Sequence, residues 1–316
     1  MNATNLATLK LGPKLGDGGQ GAVYELADDP ARVFKRYHSP SGPGFSASTL
    51  DALIGMRGKL SNGGRPVDEW AAWPSSVVRD AQNVVGFLMP RVPREFTFQA
   101  HGKRRLSELG VLLAKKSSPL FAGVTLPTLK ERIAILRNLA RAVGVLHEHR
   151  IVIGDLSFAN IFWSLSPEPR VMLIDCDGMR PDGLPPVLPQ AETPDWDDPF
   201  AAPRTAPTFD RDCYKLALAV MRVLGGEIDC RPTELDSVAF DGVEPAMDHR
   251  LRELLRQAAG PEGTRPSARV WEAALSDRLT VPVQPTMRRT VAAPKPKPEL
   301  LGTGEREFRP VTPPKR

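Results

Sequence analysis

Apolar positions change their period part of the way along the chain. Up to about residue 92 the runs are short and strand-like. Ala22 to Leu26 forms one, Arg32-Val33-Phe34-Lys35 alternates apolar with charged positions, and Val84-Val85-Gly86-Phe87-Leu88-Met89 ends at Pro90. Beyond it, Leu126 to His149 carries Leu129, Ile133, Leu136, Leu139, Ala140, Val143 and Leu146 at helical spacing, which predicts one long helix. A shorter helix is predicted over Ser46 to Lys59. Two later stretches, Asp212-Cys213-Tyr214-Lys215-Leu216-Ala217 and Trp271-Glu272-Ala273-Ala274-Leu275, follow further along. Between the long helix and these lies Leu173-Ile174, a short strand that ends at Asp175.

With 316 residues and 41% hydrophobic content, the chain can bury a sizeable core, and its length suits one bilobal domain plus a tail. No run of eighteen apolar residues and no leader peptide is seen, so the expectation is a soluble cytoplasmic protein without a membrane partner. Cys176, Cys213 and Cys230 lack metal-ligand spacing and argue for a reducing compartment. The net charge of +5 points to nucleic acid only until it is divided along the chain. Residues 281–316 hold eight basic and three acidic groups, leaving 34 of each in the neutral remainder, so no nucleic-acid partner is expected. Rich in proline and poor in large apolar groups, 281–316 reads as a flexible basic tail.

Candidate chemistry sits in Ile153-Gly154-Asp155-Leu156-Ser157-Phe158-Ala159-Asn160-Ile161, followed by Leu173-Ile174-Asp175-Cys176-Asp177. An Asp with an Asn five residues on, then a strand ending in another Asp, can put a hydroxyl-orienting carboxylate beside two metal-holding oxygens. Asp155 would orient the acceptor hydroxyl, while Asn160 and Asp175 would offer hard oxygen ligands to Mg²⁺ or Mn²⁺. Alone, the first stretch fits a surface turn equally well. Upstream, Gly16, Gly18, Gly21 and Val23 fit G-x-G-x-x-G-x-V, in which bare backbone closes over phosphates and Val23 caps an adenine. Lys35 follows Gly21 by fourteen residues, at a strand end from which its ammonium can reach ATP phosphates. A dinucleotide-binding reading is disfavoured because the chain continues after Gly21 as a strand rather than a helix.

Taken in order, these motifs resemble a eukaryotic-like Ser/Thr protein kinase of the divergent bacterial sort, over about residues 10–278. The resemblance implies an α+β bilobal fold, with a small β-rich N-lobe at 1–92, a larger α-helical C-lobe at 93–280 and the tail at 281–316. It makes Met89 the gatekeeper, the Pro90 carbonyl an adenine acceptor and the Val92 N–H an adenine donor. His147 is read as structural, because Asp155 already fills the chemical role. The cluster Lys103-Arg104-Arg105 with Lys115-Lys116 is read as a solvated face. Glu192 to Phe200 parallels the segment that closes an activation loop, Asp212 the residue that ties down the catalytic loop, and Arg265-Pro266-Ser267 the closing R-P-S.

Departures from the family pattern carry as much information. Ile153 and Gly154 stand where His and Arg are usual, so activity is not expected to depend on an activation-loop phosphate. Ser157 replaces the usual Lys. Asp177 replaces Gly and either binds a metal or repels Asp175. Phe200 replaces the Glu that meets the R-P-S arginine, leaving Asp197 or Asp198 to pair with Arg265. No Glu lies in Ser46 to Lys59, which makes Asp51 the nearest carboxylate for Lys35 and Glu69 the next.

The leading expectation is ATP-dependent phosphorylation of Ser/Thr hydroxyls on proteins, including the chain itself. Two alternatives stay open. Gly154-Asp155-Leu156 also resembles aminoglycoside and choline phosphotransferases, and the missing Glu and Lys fit a nucleotide-binding pseudokinase scaffold. The resemblance further implies partners such as a PP2C-type phosphatase, von Willebrand-type or forkhead-associated domains, or another phosphothreonine reader. In the tail, Arg288-Arg289-Thr290 is the expected self-modification site, with Thr286, Thr303 and Thr312 as further acceptors. Each phosphate adds about −1.5 to −2 charges, so two or three would cancel the tail's basicity. Mass spectrometry after incubation with ATP and Mg²⁺ is expected to find phosphate in 281–316, and none in an Asp155→Asn control.

Overall fold

The β-branched and aromatic residues before Pro90 pair into a six-stranded sheet in the computed structural model of the chain. The structure describes residues 3–40, 42–114, 124–189, 193–201 and 206–276. The sheet contains β1 (Ala3–Asn5), β2 (Leu11–Asp17), β3 (Gly21–Leu26), β4 (Arg32–Tyr37), β7 (Ser76–Asp80) and β8 (Asn83–Pro90), in the order β1-β7-β8-β4-β3-β2. A small hairpin, β5 (Ser61–Asn62) and β6 (Arg65–Pro66), lies outside it. Alternation along β4 decides what each face does. Phe34 packs with Leu26, Val78, Val85 and Leu88 on one side. Lys35 and Tyr37 turn to the other, where Tyr37 joins a core shared with the helical part.

Helix α1 (Ala47–Met56) begins where Ser46 accepts a hydrogen bond from the Thr49 N–H at 3.3 Å. Its buried residues are Thr49, Leu50 and Leu53. The helix is tied to the second lobe by two bonds: the Thr49 hydroxyl donates to Pro185 O and the Ser46 N–H to Val187 O, each at 2.8 Å. A second tie joins backbones, with the Ala72 N–H donating to Leu173 O at 2.8 Å and the Leu173 N–H to Trp70 O at 2.9 Å.

The C-terminal part is helical: α2 (Leu129–Glu148), α3 (Phe209–Gly225), α4 (Pro245–Ala258) and α5 (Ala268–Ala274). Three strand pairs accompany them: β9 (Thr97–Ala100) with β10 (Lys103–Leu106), β11 (Ile151–Val152) with β14 (Arg180–Pro181), and β12 (Ile161–Ser164) with β13 (Arg170–Leu173). The long helix starts three residues later than the apolar period predicts. Leu126 precedes Pro127, which disfavours helical backbone there, and a capping box between Thr128 and Glu131 sets the first turn. The molecule is therefore mixed α+β, with a β-rich N-terminal sheet and a helical C-terminal part, as the kinase resemblance implies.

Contacts divide the chain into Met1–Leu279 and Thr280–Arg316. The tail expectations, the Lys115-Lys116 pair and Glu192 lie outside the described residues. Lys103, Arg104 and Arg105 occupy β10 and are exposed. Among the described residues no helix is long and apolar enough to cross a membrane.

Arg265 finds its partner in the segment 193–201. Its side chain is 0% exposed and meets Asp198 through Nη2 to Oδ1 at 2.8 Å and Nη1 to Oδ2 at 2.7 Å, with Asp210 as a second carboxylate. Asp197 instead pairs with Arg231 at 3.0 Å, where its own side chain is half exposed. Of the two carboxylates the sequence leaves open, the buried one is Asp198. Removing one member of a buried pair strands the other charge, whereas a solvated pair contributes little. Because Asp210 stays on Arg265, Asp198→Ala is expected in urea unfolding to cost about 1.5–3 kcal/mol, and Asp197→Ala under about 1 kcal/mol.

Candidate functional site

Lys35 lies in the middle of the sheet, with Val23 opposite it on β3 and Phe87 opposite it on β8. It is 5% exposed, and an ammonium so placed is costly unless polar or charged groups meet it. The turn after β13 supplies them. Lys35 Nζ donates to Asp177 Oδ1 at 2.7 Å and to Asp175 Oδ1. Asp175 adopts left-handed backbone (φ 57°, ψ 36°) and the next three residues make a 3-10 turn. The turn brings both carboxylates to one ammonium, with the Asp177 side chain 2% exposed and that of Asp175 43%. Burial favours the neutral amine, but Asp177 and then Asp175 outweigh it and hold Lys35 above its ordinary range. Burial also raises the Asp177 carboxyl, against the opposing pull of Lys35. Tyr37 is buried beside the pair, and burial followed by the Asp177 charge pushes its phenol far up.

Two expectations change here. Asp51 does not supply the carboxylate for Lys35, and neither does Glu69. Helix α1 is anchored to Pro185 and Val187, and the residue reaching the amine comes from the turn after β13. Asp177, expected at a metal or in conflict with Asp175, has its Oδ1 engaged by Lys35 away from solvent.

Asp155 follows β11. Its Oδ1 accepts from the Thr193 hydroxyl at 2.8 Å and its Oδ2 from Asn160 Nδ2 at 2.9 Å. Asn160 Nδ2 also donates to Asp155 O at 2.9 Å, closing the loop on itself. A cavity of about 10 Å³ is bounded by Asp155, Asn160 and Asp175 together with apolar residues that include Ile153 and Leu156. That is about the room one water-sized occupant needs. Carboxylate and amide oxygens around it are the hard donors that Mg²⁺ or Mn²⁺ takes, so Asn160 and Asp175 fit such an ion.

Helix α3 holds this loop from beneath. Asp212, fully buried, accepts from the Ile153 N–H at 2.8 Å and the Gly154 N–H at 2.9 Å, and faces His147 Nε2 at 3.1 Å. His147 thus meets the loop's anchor rather than Asp155. Gly154 takes φ 81°, a conformation that favours glycine. Lys215, one turn further along α3, donates to Gly154 O at 2.8 Å. Sequence reading missed Lys215 and Tyr37. The one available signal for Lys215 was a cation within an otherwise apolar helical stretch.

The glycine hairpin joins β2 to β3. A Cβ on Gly21 would lie 2.4 Å from Arg36 O, so strand pairing itself demands glycine there. A Cβ on Gly16 would meet nothing within 4 Å, and one on Gly18 nothing nearer than 3.9 Å. Packing does not explain those two, which leave bare backbone open to a ligand. The tip reaches the other lobe, where Gln20 Nε2 donates to Pro189 O at 3.2 Å. Val23 is half-buried, and Met89 and Pro90 end β8. Met89 and Val92 pack in one cluster with Ile174, the residue before Asp175.

No family model matches the chain. Over 179 residues it is 30% identical to Protein kinase YegI of Escherichia coli (strain K12), a match covering 54% of this chain and 23% of that protein. It is 29% identical over 178 residues to Protein kinase YegI of Escherichia coli O157:H7, with the same shares. The chain spans less than a quarter of the length of these relatives, and over that span it is kinase-like in sequence.

Lys35→Met leaves Asp177 buried without its ammonium, so it is expected to destabilise the fold by about 3–5 kcal/mol at neutral pH. Burial raises the folded Asp177 carboxyl above its unfolded value, so the folded variant takes up a proton first and the deficit shrinks as pH falls. Urea unfolding at pH 7.5 and pH 5 checks both. Adding Asp177→Asn should recover most of the loss at the higher pH.

Proposed function

We propose that the protein transfers the γ-phosphoryl group of ATP to serine or threonine hydroxyls of proteins. One observation carries the reading: Lys35 from the sheet, Asp175 from the turn after β13 and the hydrogen-bonded pair Asp155–Asn160 converge on one cleft. Phosphoryl transfer asks a protein mainly to position groups and neutralise charge, and this set contains a cation, hard oxygen donors and a carboxylate in a loop.

Each residue has a role in this reading. Bare backbone at Gly16, Gly18 and Gly21 receives the phosphates, with Val23, Met89, Pro90 and Val92 around the adenine. Lys35 neutralises phosphate charge and is kept in place by Asp177. Asn160 and Asp175 hold Mg²⁺ or Mn²⁺, which when bound neutralises charge on the transferring group. Asp155 accepts the proton as the acceptor oxygen bonds to the γ-phosphorus, while the bond from that phosphorus to the bridging oxygen breaks and leaves ADP. Thr193 supports a Ser/Thr acceptor, because its hydroxyl already donates to Asp155 Oδ1 at 2.8 Å. An aliphatic β-hydroxyl therefore suits that carboxylate. Of the two carboxylates on Lys35, Asp177 is the buried one and Asp175 the one open towards the cleft.

Purified protein incubated with radiolabelled ATP and Mg²⁺ is expected to label a generic protein acceptor and not an aminoglycoside. Asp155→Asn and Asp175→Ala should each lower transfer by about 100-fold or more, as loss of one electrostatic group does at such centres. Near-normal turnover by Asp175→Ala would sink the metal assignment. Labelling of the aminoglycoside alone would replace the acceptor class. Nucleotide binding without transfer by the wild type would leave a pseudokinase.

A further inference from the structure

No residue from Ile153 to Asn160 is cationic, although the centre they build handles a highly charged phosphoryl group. A cation lies directly beneath them. Lys215 is 1% exposed, and its ammonium donates to Gly154 O at 2.8 Å. Among the described residues no carboxylate lies within ion-pairing distance of it, although Asp197, paired with Arg231, feels its charge from further off. Asp212, one turn earlier on the same helix, has its oxygens on the Ile153 N–H, the Gly154 N–H and His147. Gly154 is therefore gripped at both ends by one helix, and its left-handed backbone directs its carbonyl to the lysine. Peptide geometry then puts the ammonium within about 6 Å of the Asp155 Cα. Ser157, in the same loop, is fully buried and its hydroxyl has no partner, so it offers the loop no compensating charge.

A buried ammonium without a carboxylate is costly, and a donor to a backbone carbonyl alone needs no charge. A neutral amide of similar length would make the same bond. What the charge adds is positive potential, undamped by water, one residue from Asp155. We infer that Lys215 is a positioning residue that supplies the catalytic loop with its cation from below, acting on the transferring phosphoryl group through the Gly154–Asp155 peptide and its own field. This rests on the phosphoryl-transfer reading above. The charge it meets is that of the phosphoryl group as it nears the acceptor oxygen whose proton Asp155 takes, so the lysine's work lies in the transition state rather than in ATP binding.

Three variants separate charge from bond and from packing. Lys215→Gln keeps a donor for Gly154 O and removes the charge, Lys215→Met removes both, and Lys215→Arg keeps both. For the full chain with Mg-ATP and a protein acceptor, Gln and Met are expected to lower kcat about 10-fold or more, with KM for ATP within about two-fold. Arg should retain most of the rate, and the melting temperatures of Gln and Arg should lie within a few degrees of wild type. A wild-type rate for Gln overturns the inference, because the hydrogen bond alone would then suffice. A rate loss that tracks loss of folded protein, or a rise in KM at constant kcat, overturns it as well. An inactive wild type fails the phosphoryl-transfer reading itself, a result distinct from an active wild type indifferent to position 215.

Discussion

The buried Lys35 amine is held charged by carboxylates, and they come from the other lobe. Lys35 leaves the sheet and meets Asp177 and Asp175 on the turn after β13, which sets the sheet against β13. Other features conform to that pairing. Asp175 accepts left-handed backbone, a cost of order 1 kcal/mol or more for a residue with a side chain. Two backbone bonds between Trp70–Ala72 and Leu173 carry β13 alongside the first lobe. One turn therefore supplies both carboxylates that meet the lysine, the exposed one and the buried one. In this arrangement Lys35 needs no carboxylate from helix α1, which is free to serve as a strut against Pro185 and Val187.

Helix α3 organises the opposite side of the cleft in the same physical terms. Its buried polar residues reach two segments: Asp212 and Lys215 the loop before Asp155, and Arg222 the carbonyl of Asp195 at 2.8 Å. Asp210 joins Asp198 on Arg265, which lies 5.0 Å over the Tyr214 ring. Trp196 links the segments, edge-on to Phe158 at 4.8 Å and under Arg222 at 5.0 Å. Asp155 and Thr193 therefore meet between two stretches fixed to one rigid helix. Such support is what lets side chains on loops hold a reactive geometry.

Much of this was legible along the chain because it depends on local rules. Strand alternation around Lys35, the period of α2 and the glycines before Val23 follow from backbone and side-chain geometry over a few residues. So does the Asp155–Asn160 spacing, which lets the Asn amide reach back to the Asp carboxylate. Charge partnership was not legible in that way. Asp51 stood on the predicted helix and looked nearest to Lys35, yet Asp177 lies 142 residues beyond the lysine and reaches it through one left-handed turn. The choice of Asp198 over Asp197 for Arg265, and the seating of Lys215 under Gly154, are of the same kind. By itself the sequence determined the glycine hairpin, the strands around Lys35 and before Pro90, the long helix and the chemical groups available. Tertiary structure alone decided which charges face one another, because a buried charge is satisfied by whichever opposite group the packing brings within about 3 Å, whatever their separation along the chain.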